Sequence, residues 1–122
     1  MTTSHPDLQI QIRGTQDEVA LITLNRAAKR NALNDALILA LRDTFQDLPK
    51  SVRAAVVHGS GDHFCAGLDL SELSERDASE GVMHSRMWHQ ALDALEKGPV
   101  PVVAALHGAV VGGGLELASA CH

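Results

Sequence analysis

The sequence predicts a mixed α/β domain in which helices return over a sheet. Three observations support this: short apolar runs rich in β-branched residues, longer segments with helical spacing of apolar residues, and turns bearing glycine or proline between them. At 122 residues, with 45% of them hydrophobic, the chain has enough apolar side chains for one core. Residues 1–122 contain no repeat, low-complexity tract or linker, so we expect them to belong to a single domain.

Two strands are expected first. Residues 8–13 (LQIQIR) alternate between apolar and polar side chains, and residues 18–24 (EVALITL) are apolar and β-branched. The segment between them, Gly14 to Asp17, has the composition of a turn. A hairpin is therefore predicted.

A helix follows from the cap Asn34 to about Leu48, and Pro49 stops it. Its apolar stripe recurs at helical spacing and consists of Leu37, Leu41, Phe45 and Leu48. The next run, Ala54 to His58, is short and apolar and ends in the turn at residues 59–61 (GSG). This pattern is typical of a buried strand that leaves a sheet.

A second helix is expected from Glu80 to Lys97, before Gly98 and Pro99. Its predicted inner side consists of Met83, Met87, Ala91, Ala94 and Leu95. A buried strand at residues 102–106 and an extended piece through Val111 should then lead to a helix opened by residues 112–114 (GGG). The predicted order is β, β, α, β, α, β, β, α.

Two glycine-bearing turns carry the strongest chemical signal. One lies in residues 60–73 (SGDHFCAGLDLSEL) and the other in residues 106–117 (LHGAVVGGGLEL). Each turn can present one backbone N–H, and two convergent amides can hold the oxyanion that develops when an acyl group is activated. Losing one such donor typically raises a barrier by ~2.7–4 kcal/mol.

These two stretches and residues 24–33 (LNRAAKRNAL) resemble the crotonase superfamily of coenzyme A thioester enzymes, over about residues 8–122. The resemblance implies a crotonase-like (ββα) spiral core and an enoyl-CoA hydratase or isomerase activity. It also implies that the N–H groups of Leu68 and Gly113 form the oxyanion hole. Each turn taken singly has an ordinary reading as a loop bend or a strand-to-helix turn.

Glu116 is the predicted proton-transfer residue. It falls in the first turn of the last helix, where the helix dipole lowers a carboxyl pKa and burial beside an acyl chain would raise it. The resemblance places it at the first of the two catalytic glutamates of enoyl-CoA hydratases, and the second has no counterpart in these 122 residues. The alternative is an ordinary surface glutamate at a helix start.

The same resemblance implies that coenzyme A, as part of the substrate, lies against the backbone of Cys65, Ala66, Gly67 and Leu68, with no permanently bound cofactor. Lys29 and Arg30 would lie near its phosphates, although solvated loop charges explain them equally well. Asp69 is placed to cap a short turn over residues 70–73.

His89 supports an alternative. Residues 88–90 (WHQ) resemble a segment of the 4-chlorobenzoyl-CoA dehalogenases that supplies a catalytic histidine, so a dehalogenase-type or hydrolase-type reaction stays open. A structural histidine and a catalytically inactive CoA-binding fragment stay open too.

His84 is five residues away from His89 and off its helical face, and no spacing typical of a metal site occurs. Phe64 replaces the third glycine of a dinucleotide fingerprint, and no GxSxG motif is present.

Charge and composition set the remaining expectations. The net charge of −5 argues against nucleic acid, and no apolar run is long enough to suggest a membrane span. Two cysteines without CxxC spacing suggest free thiols in a cytoplasmic protein. The sequence reaches His122 without a helix stop signal, so we expect a truncated chain, lacking the second catalytic position and the helices that build a homotrimer or dimer of trimers in the superfamily.

Overall fold

The computed structural model describes residues 5–69 and 78–122. Its strands are β1 (Leu8–Arg13), β2 (Val19–Leu24), β3 (Ala54–Gly59) and β4 (Val102–Ala104). They form one sheet in the order β1-β2-β3-β4. The predicted hairpin is confirmed, since β1 and β2 are antiparallel, and β2, β3 and β4 run parallel to one another.

Three α-helices accompany the sheet: α1 (Asp35–Gln46), α2 (Ala78–Glu96) and α3 (Gly113–Ala120). The predicted cap of α1 is confirmed, because the Asn34 side chain accepts a hydrogen bond of 2.8 Å from the N–H of Leu37. Helix α1 ends two residues before the predicted Leu48. The architecture is the predicted mixed α/β fold.

The core lies where the helices meet the sheet and the loop after β3. Its fully buried large side chains come from every layer and include Ile22, Val57, Val102, Leu37, Leu41, Phe45, Leu95, Leu117 and Phe64. Burying one such side chain contributes roughly 1.5–3 kcal/mol of transfer free energy. The helices and strands that carry the candidate site residues are therefore anchored in one core.

The predicted inner side of α2 is partly wrong. Met83 is 68% exposed, whereas Trp88, Ala91 and Leu95 are buried. These three positions follow one another at helical spacings of three and four, and that face is the one turned to α1 and α3. Met83 belongs to the predicted inner side, but its position on the helix lies away from the packed face.

The last strand is shorter than predicted. Strand β4 contains three residues because only residues 102–104 pair with β3. The chain then leaves the sheet, and of the extended piece predicted through Val111 only Val110 makes a β-bridge, to Cys65. That bridge joins the segment after β4 to the loop after β3.

Four large apolar side chains from β4 to the start of α3 are exposed. Val103, Leu106, Val111 and Leu115 are each more than half exposed, between 51% and 56%.

In the described part of the chain, no helix combines the length and hydropathy needed to cross a bilayer.

Candidate active site

Asn31 ties the loop after β2 to the loop after β3. It is fully buried and lies in the left-handed region at φ 59°. Its Oδ1 accepts from the Arg26 N–H at 2.8 Å, and its Nδ2 donates to the carbonyls of Ser60 and His63 at 2.9 and 2.8 Å. Asparagine tolerates this backbone conformation better than most residues. Sequence reasoning missed its role, although it lies inside the quoted segment 24–33.

Arg26, in the loop after β2, holds the loop after β3 by a contact with Asp69. Its Nη2 donates to Asp69 Oδ2 at 2.8 Å, its Nη1 donates to the Ala32 carbonyl at 2.5 Å, and its Nε lies 3.3 Å from Asp7 Oδ2. The turn that Asp69 was predicted to cap lies outside the described residues. A largely buried guanidinium between two carboxylates holds Asp69, the residue after Leu68, against the loop after β2.

Backbone hydrogen bonds bring the two glycine turns together. The N–H groups of Phe64 and Cys65 donate to the carbonyls of His107 and Ala109 at 2.8 and 3.1 Å. The Val111 N–H donates back to the Cys65 carbonyl at 3.3 Å. These bonds carry the chain after Cys65 alongside the start of α3.

Gly67 is required where the turns meet. Its φ is +100°, which L side chains rarely adopt, and a Cβ there would lie 3.0 Å from the Val111 carbonyl oxygen. The Leu33 N–H donates to the Gly67 carbonyl at 2.7 Å, and the Asp69 N–H donates to the Leu33 carbonyl at 2.8 Å. The intervening Leu68 N–H consequently points away from Leu33.

The N–H groups of Leu68 and Gly113 are close neighbours. A Cβ built on Gly113 would lie 3.7 Å from the Leu68 nitrogen, and one built on Gly67 would lie 3.4 Å from the Gly113 nitrogen. Within residues 5–69 and 78–122, neither N–H has a hydrogen-bond acceptor. Two adjacent backbone donors without acceptors are suited to binding one anionic oxygen.

A cavity of about 210 Å³ lies at these donors. It is lined by Leu68, His84, Trp88, Gly113 and Glu116. The structure thus brings together three predicted site residues, Leu68, Gly113 and Glu116, although they are up to 48 positions apart in sequence. Glu116 is exposed in the first turn of α3, so its carboxylate faces solvent and the cavity rather than a sealed pocket.

A second cavity of about 380 Å³ adjoins the first through Leu68. Its lining includes the predicted Lys29, Arg30, Ala66 and Leu68, and also Ala32 and Asp69. Lys29 and Arg30 are exposed on the loop after β2. Their charges offer local cations to an anionic ligand on a chain whose net charge is −5.

Cys65 packs beneath the loop after β2 and does not line the 380 Å³ cavity. It is fully buried, and its Sγ donates to the Asn31 carbonyl at 3.2 Å. Burial raises the pKa of the Cys65 thiol, against a smaller lowering by its hydrogen bond with the Gly67 backbone. Neither Cys65 nor Gly67 is among the residues that line the 380 Å³ cavity. Both cysteines are free thiols, as predicted.

The two histidines of α2 lie in different surroundings. His89 is exposed and is not among the residues that line the 210 Å³ cavity, whereas His84 is. The Nδ1 of His84 lies 3.3 Å from Oδ1 of Asp35 at the start of α1. Sequence reasoning set His84 aside and gave Trp88 no role of its own in the site, although their spacing of four places both on one helix face. No group of three or more metal-ligating side chains occurs among the described residues.

Comparison with known proteins gives a consistent result. Residues 14–122 match the profile of the family described as enoyl-CoA hydratase/isomerase. The mitochondrial Delta(3,5)-Delta(2,4)-dienoyl-CoA isomerase of Mus musculus is 36% identical over 98% of this chain and 40% of its own length.

Solved structures match as well. A putative enoyl-CoA hydratase from Rhodopseudomonas palustris CGA009 has a TM-score of 0.91 and 55% identity, covering 100% of this chain and 46% of that one. A putative enoyl-CoA hydratase from Thermobifida fusca YX, solved in complex with CoA, has a TM-score of 0.83 and 28% identity, covering 94% and 47%. The chain therefore spans less than half the length of these relatives.

Proposed function

Because the chain belongs to the enoyl-CoA hydratase/isomerase family of the crotonase superfamily, we propose that it binds an acyl-CoA thioester and stabilises its enolate. The thioester oxygen is held between the N–H groups of Leu68 and Gly113. The observation that carries this proposal is the adjacency of these two donors in a cavity that Glu116 also lines.

The two cavities suggest how the substrate lies. The coenzyme A portion occupies the 380 Å³ cavity, with its phosphates near Lys29 and Arg30 and its adenine against Ala66 and Leu68, the two residues of the predicted 65–68 segment that line the cavity. The acyl group occupies the 210 Å³ cavity. Leu68 lines both cavities, which supports a thioester position at its N–H. The CoA complex of the Thermobifida fusca relative supports a coenzyme A ligand.

Hydration of a 2-enoyl-CoA is the proposed reaction. Water forms a bond to Cβ, and the double-bond pair moves through Cα onto the thioester oxygen, where the two N–H groups stabilise the enolate charge. Each fixed donor of this kind is worth ~2.7–4 kcal/mol of barrier. Glu116 takes the proton that the attacking water loses and returns it to Cα, which completes the addition; it is the carboxylate among the residues that line the acyl cavity.

A double-bond shift is the second candidate. It uses the same enolate, with Glu116 moving a proton between carbons of the acyl chain, and the mouse dienoyl-CoA isomerase supports it. A dehalogenase-type or hydrolase-type reaction through His89 has less support, because His89 lies outside the lining of the cavity. A cytoplasmic location is proposed from the two free cysteines, and a homotrimer or dimer of trimers from the resemblance.

Binding and turnover together test this proposal. Calorimetric titration with butyryl-CoA should give saturable binding, and crotonyl-CoA should be hydrated. Gly67→Val should abolish binding, because its Cβ would meet the Val111 carbonyl in a strained backbone conformation. Gly81→Val is the control, since nothing lies within 4 Å of a Cβ there. Unchanged binding by the Gly67 variant would contradict the proposed coenzyme A position, and binding without any turnover would favour an inactive binding protein.

A further inference from the structure

Among the described residues that line the acyl cavity, Trp88 has the largest side chain. It lies on α2 and is only 8% exposed. Leu68 and His84 in the same lining are partly buried, and Glu116 is exposed. The indole is therefore the most deeply buried side chain in the described wall of this cavity.

The indole lies beside the proposed position of the thioester. A Cβ built on Gly113 would lie 3.0 Å from both Cζ3 and Cη2 of Trp88, which belong to the six-membered ring. In the proposed function the Gly113 N–H holds the thioester oxygen. An acyl chain attached to that carbonyl carbon therefore starts next to this edge of the indole.

Packing holds the indole in place. Gly113 lies against the ring, and the imidazole of His84 lies near it, with ring centroids 6.0 Å apart and a tilt of 46° between the planes. Trp88 also belongs to the buried face of α2, with Ala91 and Leu95, that is turned to α1 and α3. Side chains packed as densely as a protein interior do not move aside without disturbing their neighbours. The indole is therefore a fixed boundary of the cavity.

The volume of the cavity indicates the size of the acyl group that fits. At roughly 30 Å³ for each non-hydrogen atom, the volume of a molecule in liquid water, the cavity of about 210 Å³ holds about seven such atoms. The thioester oxygen and an acyl chain of about six carbons fill that space. We propose that Trp88 limits the substrate to short acyl groups, such as crotonyl and hexenoyl, and excludes longer chains. This inference rests on the proposed function, which assigns the acyl group to this cavity.

The ratio of kcat/KM for decenoyl-CoA to that for hexenoyl-CoA tests the inference. In the unaltered protein the ratio should be below about 0.1, because one extra methylene that an apolar pocket does not fit costs at least about tenfold in kcat/KM. Trp88→Leu makes room for about six more non-hydrogen atoms and should raise the ratio at least about tenfold. Trp88→Phe makes room for about three and should raise it less.

A ratio is measured because it cancels any loss of kcat that both substrates share, such as the loss from a displaced Gly113 N–H. Leu95→Ala is the control. Leu95 is 1% exposed on the same face of α2, but it is not among the residues that line the acyl cavity. Its truncation loosens the packing of α2 and should leave the ratio unchanged. Far-UV circular dichroism melts check the folding of each variant, and Trp88→Phe, which keeps an aromatic ring at Gly113, supplies the test if Trp88→Leu does not fold.

Three results would overturn the inference. They are a ratio near one in the unaltered protein, an unchanged ratio in both Trp88 variants, and an equal rise in Leu95→Ala. Each of them leaves the proposed function standing as long as the unaltered protein hydrates crotonyl-CoA.

Absence of hydration would instead contradict the proposed reaction, and the inference is then decided by calorimetric affinities. Trp88→Leu should strengthen the binding of decanoyl-CoA relative to butyryl-CoA by at least about tenfold, since each newly buried methylene adds about fourfold. An equal change for the two ligands would overturn the inference, and no binding of either by the unaltered protein would contradict both proposals.

Discussion

The indole of Trp88 lies against Gly113 so closely that a Cβ at position 113 would be 3.0 Å from both Cζ3 and Cη2 of the ring. Helix α2 thus contacts Gly113, the residue proposed as an oxyanion donor. The indole sets the position of the start of α3, and the glycine allows that approach. Substitution of either Trp88 or Gly113 should therefore move the N–H group of Gly113.

Gly113→Ala should lower kcat for crotonyl-CoA hydration by at least about tenfold, because the new methyl group displaces either the indole or the N–H donor. The affinity for butyryl-CoA should change much less, since coenzyme A contacts lie in the other cavity. Steady-state kinetics and calorimetric titration measure the two effects. A matching loss in affinity and kcat would point to a general distortion instead.

Acyl-CoA binding should change the intrinsic fluorescence of the protein. The sequence has one tryptophan, Trp88, and it lines the proposed acyl cavity. Fluorescence titration with butyryl-CoA should therefore follow the calorimetric binding curve, whereas coenzyme A without an acyl group should give a weaker change. Saturable calorimetric binding with no change in Trp88 emission would place the acyl chain elsewhere.

Asn31→Ala should lower the free energy of unfolding by roughly 2–4 kcal/mol, because three hydrogen bonds of ~1 kcal/mol each are lost among buried groups. The left-handed backbone at φ 59° adds to this cost. Urea unfolding measures the change. Asn34→Ala, which removes only a helix cap, is the control and should cost ~1 kcal/mol. Equal losses in the two variants would show that Asn31 does not hold the loops together.

Stability should fall in alkaline solution because burial raises the pKa of the Cys121 thiol from 9.0 to about 11. The folded state holds this proton more tightly than the unfolded state, so the contribution is fully present below pH 9.0 and is lost as the pH rises through about 11. Burial also raises the pKa of the Cys65 thiol. Thermal melts should show a shallower alkaline loss in Cys121→Ala. A melting temperature of the unaltered protein that does not fall over this range would contradict the assignment.

Local signals made much of the fold predictable from sequence. Alternation identified β1, and the cap Asn34 identified the start of α1, because both are decided by neighbouring residues. The inner face of α2 was harder to predict, since only its packing against α1 and α3 selects Trp88 over Met83.

The same distinction applies to the site. Glycines and the first-turn Glu116 are recognisable in the sequence, and Leu68, Gly113 and Glu116 do line one cavity. The support from Asn31 and Arg26, and the pairing of His84 with Asp35, depend on contacts between distant segments. No local spacing reveals such contacts.

Glu116→Gln gives the most direct measurement of the central claim, because it keeps the size and hydrogen bonding of the side chain and removes its basic oxygen. Steady-state hydration of crotonyl-CoA should show kcat lowered by ~10²–10⁴-fold with a much smaller change in ligand affinity. Glu96→Gln, an exposed glutamate at the end of α2, is the matched control and should leave kcat unchanged. Near-normal turnover by Glu116→Gln, together with a collapse of turnover in His89→Gln, would contradict the account and favour chemistry through His89.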